Sequence, residues 1–184
     1  WSAEDQVAPA HYWSQWRGPQ GTGVAPHGNP PIEWSEDKNV RWKITIPGQG
    51  HASPIVWEDR VYVLTAIPVE VAAATEGGQG GRRRGKPPVK SQFVMLAIDR
   101  QSGEIVWQRT AREEKPHEGI HPDGSWAANS PITDGEHIYA YFGSRGLYCY
   151  DMEGELKWQK DLGDMTTRMS FGEGASPALY GDAL

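Results

Sequence analysis

The sequence predicts an all-β fold built from repeated four-stranded antiparallel units, and two observations carry this prediction. First, 22 glycines and 14 prolines make up about a fifth of the 184 residues, against an average of about 12%. Together with nine Trp, seven Tyr and three Phe, this composition favours short strands and tight turns over long helices. Second, two short motifs recur along the chain at similar spacing.

The first recurring motif predicts where each unit begins. Residues 53–62, 130–139 and 176–184 align without gaps, and each contains Ser-Pro, a short apolar strand and a polar turn that leads into a second strand. The proline stands at the strand entrance, where its missing N–H disturbs a ladder least. The three pairs are Ser53-Pro54, Ser130-Pro131 and Ser176-Pro177.

The second recurring motif predicts a hairpin in the later part of each unit. In each copy, a strand leads through an Asp-to-Gly turn into a strand that ends in Trp. The Asp side chain accepts hydrogen bonds from backbone N–H groups just ahead of it, and Gly supplies the position with positive φ. The second turn is one residue shorter, so we expect a different turn type. The residues are Asp99, Gly103 and Trp107 in the first copy and Asp151, Gly154 and Trp158 in the second.

The spacing of the motifs predicts the architecture. Asp99 and Asp151 lie 52 residues apart, and Ser130 and Ser176 lie 46 residues apart. Four strands in about 40–50 residues are typical of a β-propeller blade. In the second unit we expect these strands at residues 130–133, 137–142, 146–150 and 155–160.

This architecture divides the chain into an N-terminal extension over residues 1–39 and a partial β-propeller over residues 40–184. Two blades alone leave apolar faces and strand edges uncovered. We therefore expect an N-terminal fragment of a ring of roughly seven or eight blades, partnered by the remaining blades of its own full-length chain. Within residues 40–184 we expect an outer strand at 40–46, a blade at 52–110 with a flexible insertion at 68–92, a blade at 127–161, and the start of the next blade at 174–184.

Residues 97–107 resemble the tryptophan-docking repeat of quinoprotein propellers, whose pattern is Ala, one residue, Asp, two residues, Thr-Gly, three residues and Trp. Ser102 stands here in place of Thr. Residues 13–23 are similar to the opening of secreted bacterial proteins of the same repeat class, as are residues 50–54. The resemblance is to the pyrroloquinoline-quinone-like propeller repeat family, which includes the propeller lipoprotein of outer-membrane assembly. It implies an eight-bladed propeller in which Trp107 and Trp158 pack between neighbouring blades.

Charge and composition narrow the classes of partner and compartment. Eighteen basic and 24 acidic residues give a net charge of −6, so we expect no nucleic acid partner. No apolar run is long enough to span a membrane. The family resemblance implies a periplasmic or otherwise extracytoplasmic protein. We expect the basic residues of the insertion, within 82–90, to lie in a solvated loop. The alternative is that they contact an anionic surface.

Residues 117–121 read His-Glu-Gly-Ile-His and match the H-E-x-x-H pattern of zinc proteases. That chemistry needs a helix that places both His on one face, and Pro116 and Pro122 exclude a long helix here. We expect an exposed inter-blade loop instead, or His side chains that line the propeller face. We expect Cys149 to be a small core residue. The position of Trp126 is less constrained, so a role as a stacking platform for a sugar or a base stays an alternative for it. No catalytic or metal-binding residue is assigned.

Three functions are compatible with this fold, since propeller blades serve enzymes and non-enzymes alike. The first is a non-catalytic extracytoplasmic scaffold that binds other proteins or an unidentified small ligand. The second is a quinoprotein dehydrogenase that oxidises an alcohol or sugar with pyrroloquinoline quinone and calcium, with an Asp as base. The third is an extracellular ligand-sensing domain. No cofactor ligands are assignable from the residues, and we favour the scaffold.

Overall fold

The computed structural model describes residues 11–69, 85–180 and 183–184, and these residues form two four-stranded antiparallel sheets. The predicted all-β fold of four-stranded blades is confirmed. Blade 1 consists of β1 (Ile55–Trp57), β2 (Arg60–Pro68), β3 (Ser91–Asp99) and β4 (Ile105–Glu114). Blade 2 consists of β5 (Ile132–Thr133), β6 (His137–Tyr141), β7 (Leu147–Asp151) and β8 (Leu156–Lys160). In each blade the strands pair in chain order. The only helical segments among the described residues are two short 3-10 turns, Gly143–Arg145 and Arg168–Ser170.

The third strand of blade 1 is buried on both faces, which explains its continuous apolar sequence. A register shift interrupts the β3–β4 ladder between Ala97 and Ile98, and the β7–β8 ladder shifts between Cys149 and Tyr150. In both blades the shift begins two residues before the turn Asp. A β-bulge increases local strand twist, so each blade bends at the same point before its last hairpin.

The main core lies between the two blades. One face of blade 1, with Tyr62, Phe93 and Met95 completely buried, packs against Phe142 and Tyr148 of blade 2. The rings of Phe93 and Phe142 meet edge to face with their centroids 5.7 Å apart. Such aromatic pairs contribute about 0.5–1.5 kcal/mol beyond the burial of their area. This packing fixes the two sheets against each other as adjacent blades.

The opposite face of blade 1 is covered by residues 40–46, which were predicted as an outer strand. These residues form no strand in the structure, and none of the isolated bridges among the described residues involves them. Their apolar side chains instead pack onto a second apolar cluster formed by Val94, Leu96 and Ile98. Residues 174–184, predicted to start another blade, contain a single bridge between Tyr180 and Ala183 in their described part.

The strand order gives each blade two ends. The short hairpin turns at 58–59, 100–104, 134–136 and 152–155 lie at one end, which we call the turn face. The described parts of the other connections, 69 with 85–90, 115–131, 142–146 and 161–175, lie at the other end, which we call the loop face. Residues 70–84 of the predicted insertion, including Arg82, Arg83 and Arg84, lie outside the described residues. Among the described residues, no helix is long and apolar enough to cross a membrane.

Candidate functional site

The Ser-Pro motifs make the first of three contacts between consecutive units, and this contact occurs twice. The backbone N–H of Ser53 donates to Oγ of Ser130 at 2.9 Å, and the backbone N–H of Ser130 donates to Oγ of Ser176 at 2.9 Å. Ser130 is almost completely buried. Each serine hydroxyl therefore satisfies a backbone donor of the preceding unit, beside the proline that opens the strand.

The turn glycines make the second contact, with an indole ring of the preceding segment. Trp107 lies over Gly154, where an added Cβ would be 2.9 Å from the ring, and its Nε1 donates to the carbonyl of Met152 at 3.2 Å. Trp42 lies over Gly103 in the same manner. Trp158, by contrast, is 43% exposed and contacts Tyr139 of its own blade. The docking role that the resemblance implies for Trp107 and Trp158, packing between neighbouring blades, stays a prediction.

The two turn aspartates build the hairpins through their carboxylates. Oδ1 of Asp99 accepts from the backbone N–H groups of Ser102 and Gln101 at 2.8 and 2.9 Å, and these hydrogen bonds hold its pKa below the ordinary value. In Asp151 the pKa is also lowered, mainly by the ammonium of Lys157, 2.6 Å from Oδ2. Stabilised carboxylates of this kind are weak bases, which suits a role in turn formation.

The His-Glu-Gly-Ile-His segment makes the third contact, on the loop face. His117 Nε2 lies 2.9 Å from the carbonyl oxygen of Met165, and Glu118 Oε1 accepts from the hydroxyl of Thr167 at 2.6 Å. The ring of His121 stacks on that of Phe171, with centroids 5.8 Å apart and an interplanar angle of 17°.

The three side chains of the H-E-x-x-H pattern are therefore directed at three different residues of the following loop. Within the described ranges, no three His, Cys, Asp or Glu side chains lie close enough together to hold a metal ion. Through these contacts the segment holds the connection 115–131 against the connection 161–175. Both connections belong to the loop face.

A buried ion pair fixes the same loop from the side of blade 2. Arg145, only 2% exposed, lies 3.1 Å from Oε1 of Glu173 and 3.8 Å from Oε1 of Glu114 at the end of β4. Glu173 also accepts from the backbone N–H and the hydroxyl of Ser144 at 2.5 and 2.6 Å. A buried charge left without its partner is costly, so this network specifies one position for the loop.

Two large apolar side chains of the fastened loop point to solvent. Met169 is 78% exposed and Phe171 is 62% exposed. Met169 has a φ of 57°, in the left-handed region that a non-glycine residue adopts only when its surroundings impose it. Exposed aromatic and Met side chains on a backbone held in place are the features that binding surfaces share.

The remaining sequence candidates serve the core or the surface. Cys149 is buried, and burial raises the pKa of its thiol to about 11, so it is a poor nucleophile at neutral pH. Trp126 is partly buried and packs against the main core. Of the basic insertion, Lys86 donates to the carbonyl of Gly124 at 3.1 Å, and Lys90 pairs with Glu113 at 2.8 Å.

Comparison with known proteins identifies the repeat class. A family model described as outer membrane protein assembly factor BamB matches residues 24–177. The chain belongs to this family. Among solved structures, one match is the crystal structure of BamB from Moraxella catarrhalis, with 18% sequence identity and a TM-score of 0.29. The match covers 72% of the chain and 45% of the BamB chain. A comparison with curated protein sequences found no significant match.

The chain therefore spans less than half the length of this solved relative. Membership of the family agrees with the motifs at Asp99 and Asp151, which carried the resemblance. Sequence reasoning missed three features of the site: the roles of the serine hydroxyls, Arg145 with Glu173, and Phe171. The recurrence of Ser before Pro was a signal for the first, whereas a single Arg or Phe in a connection carries no periodic signal.

Proposed function

We propose that this chain is part of a propeller scaffold that binds a protein partner outside the cytoplasm and has no catalytic role of its own. Membership of a family described as an outer-membrane assembly factor supports this proposal. The residue types that serve catalysis in other proteins are used here for structural contacts. Asp99 and Asp151 shape turns, His117 and Glu118 hold a loop, and Cys149 is buried.

The observation that carries the proposal is the loop of residues 161–175, which presents Met169 and Phe171 to solvent. The stacking of His121 on Phe171 and the ion pair of Arg145 with Glu173 hold this loop before any partner binds. A preorganised surface loses less conformational entropy on association than a mobile one. We therefore place the partner contact on the loop face.

Site-specific photocrosslinking tests this placement. A photoreactive amino acid replaces Phe171 in one variant and Ile105, 43% exposed on β4, in a matched control. Irradiation of the producing cells, followed by mass spectrometry of the crosslinked species, should give one defined protein adduct at 171 that is absent at 105. The same adducts at both positions, or none at 171, would contradict the proposal.

A second experiment separates the scaffold from the quinoprotein alternative. The purified full-length protein is mixed with pyrroloquinoline quinone and Ca²⁺, and the absorbance of bound quinone is recorded together with dye-linked oxidation of alcohols and sugars. The scaffold proposal predicts neither bound quinone nor turnover. Turnover would establish the dehydrogenase, and quinone binding without turnover would favour the ligand-sensing alternative.

A further inference from the structure

A shallow, open depression on the turn face, which we call the cleft, is independent of the loop face. Its volume is about 580 Å³, and it is open to solvent on one side. It lies between the N-terminal segment and the β3–β4 turn of blade 1. Its lining residues are Trp34, Asn39, Val40, Arg41, Trp42, Arg100 and Gln101.

Two indole rings stand in this cleft on ordered backbone. Trp34 is 79% exposed, yet it adjoins a tight turn closed by reciprocal backbone hydrogen bonds between Ser35 and Lys38 at 3.0 and 3.1 Å. The side-chain amide of Asn39 donates to the carbonyl of Glu33 at 2.7 Å and closes the same turn. Trp42 is fixed by its Nε1, which donates to the carbonyl of Arg100 at 2.9 Å. Trp34 thus offers an open aromatic face in the cleft, and Trp42 forms a fixed aromatic wall.

Two guanidinium groups give the cleft a positive charge in a chain with net charge −6. Arg41 donates to the amide oxygen of Gln101, which leaves its charge unneutralised by that contact. Arg100 has a carboxylate partner, Asp59, at 3.8 Å, a long and exposed ion pair. Within the described part of the chain, the residues that line the cleft include no Asp or Glu. Arginine pairs with a carboxylate through two parallel N–H donors, so the cleft suits an organic anion.

We propose that this cleft binds a carboxylated sugar, that is, a uronate unit of an acidic oligosaccharide. The C–H face of a pyranose ring carries a slight positive charge and stacks on the negative face of an indole. Arg41 and Arg100 then bind the carboxylate at the edge of the stacked ring. Because Trp34 is open to solvent, a neighbouring sugar unit extends past it without a clash. This site concerns the turn face alone, so it does not depend on the proposed protein partner.

The test is a titration of the purified full-length protein with a short oligogalacturonate, measured by isothermal titration calorimetry. The methyl ester of the same oligosaccharide keeps the ring faces and removes the charge. We expect saturable binding of the acid and about tenfold weaker binding of the ester, since one charge-assisted hydrogen bond is worth about that factor. No saturable binding, or equal binding of acid and ester, would overturn the proposal.

Matched variants assign the binding to this cleft. Trp34→Ala and Arg41→Gln change exposed side chains, and each should weaken binding about tenfold, the loss expected for one stacking or one charged contact. Trp16→Ala is the control, because Trp16 is 54% exposed and lies beside Arg17 at 5.6 Å outside the cleft. It should leave the affinity unchanged. Equal losses in all three variants, or tighter binding of polyglutamate than of oligogalacturonate, would overturn the proposal.

Discussion

The backbone N–H of Ser53 donates to the hydroxyl oxygen of Ser130, 77 residues further along the chain, at 2.9 Å. The backbone N–H of Ser130 donates in the same way to the hydroxyl oxygen of Ser176. Ser130 therefore donates through its backbone and accepts through its side chain. The Ser-Pro pair thus has a second use besides opening a strand. It connects the first strand of each unit to the unit that follows.

Replacement of this hydroxyl should destabilise the protein. Ser130→Ala leaves the N–H of Ser53 without its acceptor, and we expect a loss of about 1–2 kcal/mol in the free energy of unfolding. Urea unfolding of the purified protein measures it. Ser35→Ala, at an exposed serine, is the control and should change the free energy by less than about 0.5 kcal/mol. Equal effects of the two substitutions would contradict a structural role for the serine contact.

The contact between Trp107 and Gly154 should depend on the absence of a Cβ. Gly154 has a φ of +81°, so Gly154→Ala carries both a conformational cost and a clash with the ring 2.9 Å away. Gly163→Ala is a matched control, because φ is +80° and an added Cβ meets nothing within 4 Å. We expect about 1 kcal/mol for the control, and at least about 1 kcal/mol more for Gly154→Ala. Equal losses in thermal or urea unfolding would show that Trp107 does not constrain this turn.

Two buried tyrosines should respond oppositely to loss of their hydroxyl groups. The hydroxyl of Tyr62 is buried and has no hydrogen-bond partner among the residues that the structure describes, and burial raises its pKa to about 12. That of Tyr148 donates to the carbonyl of Arg145 at 2.7 Å. Tyr62→Phe should be neutral or stabilising, whereas Tyr148→Phe should cost about 1 kcal/mol. If Tyr62→Phe lowered the free energy of unfolding more than Tyr148→Phe does, the hydroxyl of Tyr62 would have a hydrogen-bond partner after all.

Acid should weaken the hairpin turn of blade 2. The pKa of Asp151 is lowered from 3.8 in the folded state, mainly by Lys157. Its contribution to stability is therefore present above about pH 4 and is lost as pH falls through the lower folded-state pKa. A carboxyl titration by NMR should show this pKa below 3.8 and its rise in Lys157→Met. The same pKa in both proteins would contradict the assigned cause.

The repeat explains how much of this structure was predictable from the sequence. Residues that recur with the blade, such as Asp99 and Gly103, predict strands and turns, because each copy forms its contacts locally. Residues 40–46 have the composition of a strand but form none, since strand formation needs a neighbour with which to pair. Arg145 and Glu173 act together across 28 residues, and only the folded chain brings them within 3.1 Å.

An affinity measurement shows whether a protein partner binds the loop face. The partner crosslinked at position 171 is purified, and its dissociation constant is measured for the wild-type protein, for Phe171→Ser and for Ile105→Ser. We expect at least about tenfold weaker binding for Phe171→Ser, as for a central aromatic contact, and wild-type affinity for Ile105→Ser. Wild-type affinity for Phe171→Ser would contradict it.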